Sequence, residues 1–147
     1  MLYFAYGSNL NHHQMKKDRC PGAKFITKYN LKGYKLIFSN SNPNRIFGHA
    51  NIEKKIKSKV PGAIWEITKM HKKTLDSYEG VPTSYQEESI KWNNKNALIY
   101  IQTDYAKKKP SSDYLHTIIQ GYKDCDLDLN ILKKRITFYS LRYEVHW

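Results

Sequence analysis

Met1-Leu2-Tyr3-Phe4-Ala5-Tyr6-Gly7-Ser8-Asn9-Leu10 opens the chain, and the reading of this stretch decides the rest. Leu2 to Ala5 is a short apolar and aromatic run that suits a buried strand. It stops at Gly7-Ser8-Asn9, three residues that favour turns and helix starts. Gly7 lets the backbone approach a ligand closely. Ser8 and Asn9 can hydrogen-bond neighbouring backbone or cap a short polar helix over Asn11 to Asp18. A strand running straight into such a turn aims several free N–H groups at one spot, which suits a carboxylate or an oxyanion. The same residues also make an ordinary strand-to-helix turn with no ligand.

Outward from this stretch the chain alternates strands with few helices. His12 and His13 are adjacent, so they do not share a helical face, and they read as surface residues. Phe25 to Tyr29 and Tyr34 to Phe38 read as two strands joined by Leu31-Lys32-Gly33. Ser39 to Arg45, with three asparagines and Pro43, reads as a loop. Phe47 to Ile52 follows as a strand, Glu53 to Lys59 as an exposed turn, and Val60 to Ile67 as another strand. Tyr85 to Trp92 and Ala97 to Thr103 form a hairpin about Asn93-Asn94-Lys95-Asn96. Ser111 or Ser112 caps a helix with Tyr114, Leu115, Ile118 and Ile119 on one face, ending at Gly121. Leu129, Leu132, Ile136 and Tyr139 mark a last helix. Strands scattered this way predict an α+β fold with a mostly antiparallel or mixed sheet, and periodicity does not distinguish a barrel from an open sheet.

Thr68 is placed to cap a helix that runs to about Tyr78 and is stopped by Gly80. Glu79 then sits beside the carbonyl end of the helix dipole, where a carboxylate is disfavoured. That placement, with partial burial among Tyr78, Val81 and Tyr85, predicts a raised pKa. A carboxylate made more basic can serve as a general base. An exposed helix-end glutamate balanced by Lys72 or Lys73 is the alternative reading of the same position.

At 147 residues and 40% hydrophobic content, the chain reads as a single folded domain spanning 1–147. No run of about 18 apolar residues supports a membrane span, and no basic segment followed by an apolar one marks a signal peptide. Cys20 and Cys125 have no Cys-x-x-Cys spacing and read as free thiols of a cytoplasmic protein. The net charge of +12 is the compositional outlier. Its lysines are spread along the chain in pairs and triplets, from Lys16-Lys17 to Lys133-Lys134, with no recognition motif beside them. They read as a solvated basic surface, which argues against a nucleic-acid partner. Ser8 lacks a Gly-x-Ser-x-Gly elbow, the six histidines show no metal spacing, and no Gly-rich phosphate loop is present.

Three blocks, in order, resemble the gamma-glutamylcyclotransferase-like family. The first is Tyr3-Phe-Ala-Tyr-Gly-Ser-Asn-Leu10. The second is the strand Val60-Pro-Gly-Ala-Ile-Trp-Glu-Ile-Thr68, followed by Leu75-Asp-Ser-Tyr-Glu-Gly-Val81 and Tyr85. The third runs from Pro110-Ser111-Ser112 through Tyr114 and Ile118 to Gly121. One departure is Glu87, at a position where the family often has an arginine. The resemblance spans about residues 1–125 and implies a compact mixed or antiparallel β-barrel with short flanking helices.

The resemblance also implies a cytoplasmic enzyme that cleaves a small-molecule γ-glutamyl amide by attack of its own α-amine, releasing 5-oxoproline and an amine or amino acid. Glu79 matches the family's catalytic glutamate, and Tyr6, Gly7, Ser8, Asn9 and Leu10 match its substrate loop. Tyr85 and Tyr114 match pocket tyrosines, although aromatic core packing also accounts for them. No cofactor, metal or membrane partner is implied, and the assembly expected is a monomer or homodimer. Two other readings stay open: a non-catalytic domain that senses γ-glutamyl metabolites, and a basic nucleic-acid-associated protein.

Overall fold

A computed structural model of the chain describes residues 1–137, Tyr139 and residues 145–147. Strand β1 (Leu2–Ala5) lies inside one mixed sheet. The other strands are β2 (Lys24–Asn40), β3 (His49–Glu66), β4 (Gln86–Trp92), β5 (Lys95–Ile101) and the two-residue β6 (Ala106–Lys107). Their order is β4-β5-β1-β3-β2-β6, with β1 parallel to β5 and every other neighbour antiparallel. Helices α1 (Lys69–Glu79), α2 (Ser112–Asp124) and α3 (Leu129–Thr137) flank it. Two register shifts in the β2–β3 ladder add local bend and twist. The sheet curls into a half-barrel, the α+β architecture expected from the scattered strands.

Tyr3, Phe4 and Ala5 are all buried because β1 has strands on both edges and packing on both faces. Phe4 packs edge-on against Tyr29, and Leu10, Trp65, Leu115, Ile118 and Tyr122 are also closed to solvent. The apolar spacing on α2 lays Leu115, Ile118 and Ile119 inward as predicted, while Tyr114 is half-buried and Tyr122, beyond the expected end at Gly121, joins the core.

Several boundaries differ from the sequence reading, each for a nonlocal reason. The two strands expected on either side of Leu31-Lys32-Gly33 are one strand, β2; Gly33, at φ +85°, sits at a bulge inside it. Glu53 to Lys59 is not a turn but part of β3, where pairing jumps from Lys59–Lys32 to Lys54–Tyr34 and leaves residues 55–58 unpaired. Phe47 belongs to the loop before β3, which begins at His49. The hairpin turn is tighter than expected, because Asn93 and Asn94 both adopt positive φ and make a two-residue connection. The helix over Asn11 to Asp18 is a short turn that widens into a π-helix at Gln14–Arg19, and Cys20 N–H reaches back to Met15 O.

Two further positions are corrected. Gly121 lies inside α2 rather than ending it: a Cβ there would stand 2.6 Å from Leu10 Cβ and 2.7 Å from Asn11 N. Glycine is the price of that contact between helix and loop. His13 is exposed as expected, whereas His12 is half-buried, its ring 5.1 Å from those of both Phe25 and Trp65. Cys20 and Cys125 are both free and buried. Of the expected last helix, Phe138 lies outside the described residues, as do residues 140–144 of the tail.

Candidate active site

Glu79 is positioned by a helix with both ends defined. Thr68 Oγ1 accepts the His71 N–H (3.1 Å) while His71 Nδ1 accepts the Thr68 N–H (3.1 Å), a reciprocal cap at the start of α1. At the other end Gly80 takes φ +65° and ψ +39°; its N–H reaches Ser77 O and that of Val81 reaches Asp76 O. This paired closure stops the helix at Glu79. The chain then turns back at once, because Ser84 N–H donates to Gly80 O (2.8 Å) and Tyr85 N–H to Glu79 O (3.2 Å).

The first loop is built just as firmly. Leu10 N–H closes a 3₁₀ turn on Gly7 O (3.1 Å), so the N–H groups of Ser8 and Asn9 stand ahead of the turn's first internal bond. Asn9 is buried and works as a hub: its Nδ2 donates to Tyr3 Oη (3.0 Å), and its Oδ1 accepts from Gln14 Nε2 and Arg19 Nη1 (3.0 Å each). Gln14 Nε2 also donates to Ser8 Oγ (2.8 Å). Gly7 abuts β3, where a Cβ would stand 2.9 Å from Ala50 Cβ and 3.4 Å from Tyr114 Oη.

These two structures line one cleft of about 290 Å³. Of the candidate residues, Tyr6, Gly7, Ser8, Asn9, Glu79, Tyr85 and Tyr114 line it together. Leu10 does not, because its N–H is engaged by Gly7 and its side chain is fully buried under Gly121. Glu87, at the family's arginine position, is exposed outside the cleft and pairs with Lys72 (3.3 Å).

Tyr3, Tyr100, Arg19 and His49 join the cleft without having been singled out from sequence. Tyr3 and Tyr100 stand on neighbouring strands, β1 and β5, so only the sheet pairing unites them. Arg19 sits near Lys16-Lys17 in a run that reads as surface charge, yet its guanidinium lies 4.2 Å from the Tyr78 ring and binds Asn9. No local pattern marks His49, whose ring meets the Tyr114 ring edge-on at 4.9 Å.

The hydroxyls around the cleft divide by what their protons do. Tyr6 donates to Tyr100 O (2.5 Å), Tyr85 to Ala50 O (2.5 Å) and Tyr100 to Asp76 Oδ1 (2.7 Å). Tyr3 and Tyr114 instead accept, from Asn9 Nδ2 and from Ala50 N–H (2.9 Å), and keep their own protons for another acceptor. Burial pushes all five phenols above the usual range, so they are donors and not bases near neutral pH. Burial, then Arg19, holds the His49 imidazole below its usual range.

Glu79 stands apart. Burial pushes its carboxyl up to about 7, against the opposing pull of Arg19. A carboxylate of that basicity, among neutral phenols and free N–H groups, can accept a proton at neutral pH and return it. Replacing Arg19 with Met removes the cation that favours the ionised form, so Glu79 is expected to titrate above 7. Carbon-13 NMR of the Glu79 side-chain carboxyl would read this, and an unmoved titration would show that the two charges do not communicate.

Among the described residues, no group of three His, Cys, Asp or Glu side chains is arranged to hold a metal ion, and no helix is long and apolar enough to cross a membrane.

The chain is similar in sequence and in fold to known proteins. A family model described as Gamma-glutamyl cyclotransferase, AIG2-like matches residues 3–117. Gamma-glutamylcyclotransferase of Homo sapiens is 32% identical over 143 residues, covering 90% of this chain and 76% of the human one. Its Bos taurus counterpart is 31% identical with the same coverage of both chains. A solved gamma-glutamyl cyclotransferase structure matches with a TM-score of 0.78 at 28% identity, covering 99% of this chain and 92% of that one.

Proposed function

Because this chain belongs to the gamma-glutamyl cyclotransferase, AIG2-like family, we propose that it converts a γ-glutamyl amide into 5-oxoproline and a free amine, with Glu79 as general base and then general acid. The observation that carries the reading is the sharing of one cleft by Glu79, at a pKa of about 7, and the Ser8 and Asn9 N–H groups.

The chemistry follows from the protonation states. A γ-glutamyl α-amine is mostly an ammonium at neutral pH and cannot attack a carbonyl. Glu79 takes one proton from it, and the freed nitrogen adds to the δ-carbon of the same molecule. The C–N bond to the leaving amine then breaks as the proton held by Glu79 passes to that nitrogen. The second proton, shed by the now cationic ring nitrogen, follows through the emptied carboxylate, leaving a lactam N–H and a free ammonium. No atom is gained or lost, and the nucleophile belongs to the substrate.

The protein's remaining work is to fold the substrate so that amine and δ-carbon meet, which lowers the entropic part of the barrier. The N–H groups of Ser8 and Asn9 hold the α-carboxylate or the developing oxyanion, with Tyr114 or Tyr3 adding a free phenolic proton. Tyr6 and Tyr85 shape the wall, their protons already given to backbone oxygens.

The test is 5-oxoproline release from a panel of γ-glutamyl dipeptides and γ-glutamylamines. Release from at least one class is expected. Binding without release, from folded protein, would replace the enzyme with a sensing domain.

A further inference from the structure

A second groove, of about 740 Å³, adjoins the Glu79 cleft and shares His49 and Ser84 with it. Its outer wall is the loop between β2 and β3, and this loop is shaped in advance. Asn40 Nδ2 donates to Phe47 O (2.9 Å) and Asn40 Oδ1 accepts from Asn42 N–H (2.8 Å). Asn42 in turn accepts from Asn44 N–H at its Oδ1 (3.0 Å) and from Arg45 N–H at its carbonyl (3.2 Å). Ser41 Oγ donates to Ser84 Oγ (3.3 Å), tying the loop to the turn that follows Glu79. Gly48 fixes the far end: its N–H donates to Lys109 O (2.8 Å), and a Cβ there would stand 2.4 Å from Lys108 O. Local bonds of this kind set a loop's conformation before a ligand arrives, so less ordering is needed on binding.

The loop holds out three side chains that the fold does not use. Ile46 is 75% exposed and Phe47 is 41% exposed, so neither contributes to the core. Arg45 is exposed and makes no ion pair among the described residues, and no Asp or Glu lines the groove. A free guanidinium beside an aliphatic and an aromatic side chain complements a molecule with one carboxylate and one apolar group. The groove meets the cleft at His49 and at Ser84, whose N–H closes the turn after Glu79 on Gly80 O, so a substrate group that extends beyond the cleft on this side enters the groove.

We propose that this groove is the leaving-group subsite and that it takes an amino acid with an apolar side chain and a free α-carboxylate. Arg45 grips the carboxylate, while Ile46 and Phe47 cover the side chain. The inference rests on the cyclisation reading above and narrows it to γ-glutamyl dipeptides of apolar amino acids. Such a substrate carries two carboxylates. The glutamyl one falls to the Ser8–Asn9 loop and Arg19, and the terminal one to Arg45. The released molecule is the intact amino acid, its nitrogen protonated through Glu79.

The probes are γ-glutamylphenylalanine, its C-terminal amide, and γ-glutamylglycine. The parent protein is expected to favour the acid over the amide about tenfold in kcat/KM, as a charge-assisted guanidinium contact warrants. Arg45→Gln should bring that ratio close to one, mainly through KM. Phe47→Ser should narrow the preference for phenylalanine over glycine. Equal turnover of acid and amide by the parent, or a ratio that survives Arg45→Gln, would overturn the subsite. If no peptide is turned over, the cyclisation reading has failed instead. Calorimetric titration of the acid and its amide then reads the groove by itself: tighter acid binding that is lost in Arg45→Gln supports it, and equal or absent binding overturns it.

Discussion

Glu79→Gln is expected to slow 5-oxoproline release by about a thousandfold, while making the protein more stable above neutral pH. The expected loss of rate follows from removing the group proposed to carry the proton from the attacking amine to the leaving one. The gain in stability has a different origin. Burial raises the Glu79 carboxyl from its ordinary 4.5 to about 7, so the folded protein holds a proton that the unfolded chain releases. The stability linked to that proton is fully present below pH 4.5 and is lost as pH rises through 7. The loss amounts to roughly 3 kcal/mol. Glutamine fills the same space without ionising, so urea denaturation should show the variant ahead at pH 8 and level with the parent at pH 4. A variant that is inactive but no more stable at pH 8 would mean the cleft solvates the carboxylate better than its burial implies. Activity equal to the parent's would remove Glu79 from the chemistry and leave cyclisation standing.

Gly121→Ala is the second large effect, and it works at a distance from the chemistry. The added methyl would stand 2.6 Å from Leu10 Cβ and 2.7 Å from both Leu10 C and Asn11 N. None of these is the yielding end of a long side chain, so either α2 or the 3₁₀ turn must move by about 1 Å. Overpacking of this kind costs about 1–3 kcal/mol. The turn that moves carries the Ser8 and Asn9 N–H groups, and a misplacement on the order of 1 Å can lower turnover about a hundredfold. A thermal melt and a kcat/KM measured well below the melting temperature separate the two effects. Full activity in a destabilised variant would show that α2 yields and the loop stays.

The features legible in the sequence are those whose cause is local. Leu2–Ala5 reads as a strand, Thr68 and Gly80 bracket α1, and Ser111 caps α2 by accepting the Tyr114 N–H. Each depends on residues a few positions apart. The continuity of β2 through Gly33 and of β3 through residues 53–59 was hidden, because a bulge is defined by the partner strand and not by its own residues. Gly121 misled for a related reason: glycine serves equally to end a helix and to admit a neighbour, and only the packing of Leu10 decides between them. At the candidate site, sequence resemblance named the glutamate and the loop. Arg19, which strengthens the Glu79 acid and anchors Asn9, lay unread among lysines, since a cation's partner appears only after folding.

The pairing of β1 bears on the order in which the molecule assembles. Its partners lie at residues 63–66 and at Ala97 and Leu98, so its bonds close loops of about sixty and ninety residues, whereas β2 and β3 meet across the short span between Asn40 and His49. Short loops close at lower entropy, which puts the β2–β3 hairpin early and the insertion of β1 late. Pulse-labelled hydrogen exchange during refolding should protect amides of β2 and β3 before those of Tyr3 and Phe4, and simultaneous protection would contradict this order. Binding competence is then acquired in the closing steps of folding, so partly folded chains carry a hydrophobic sheet without a working cleft.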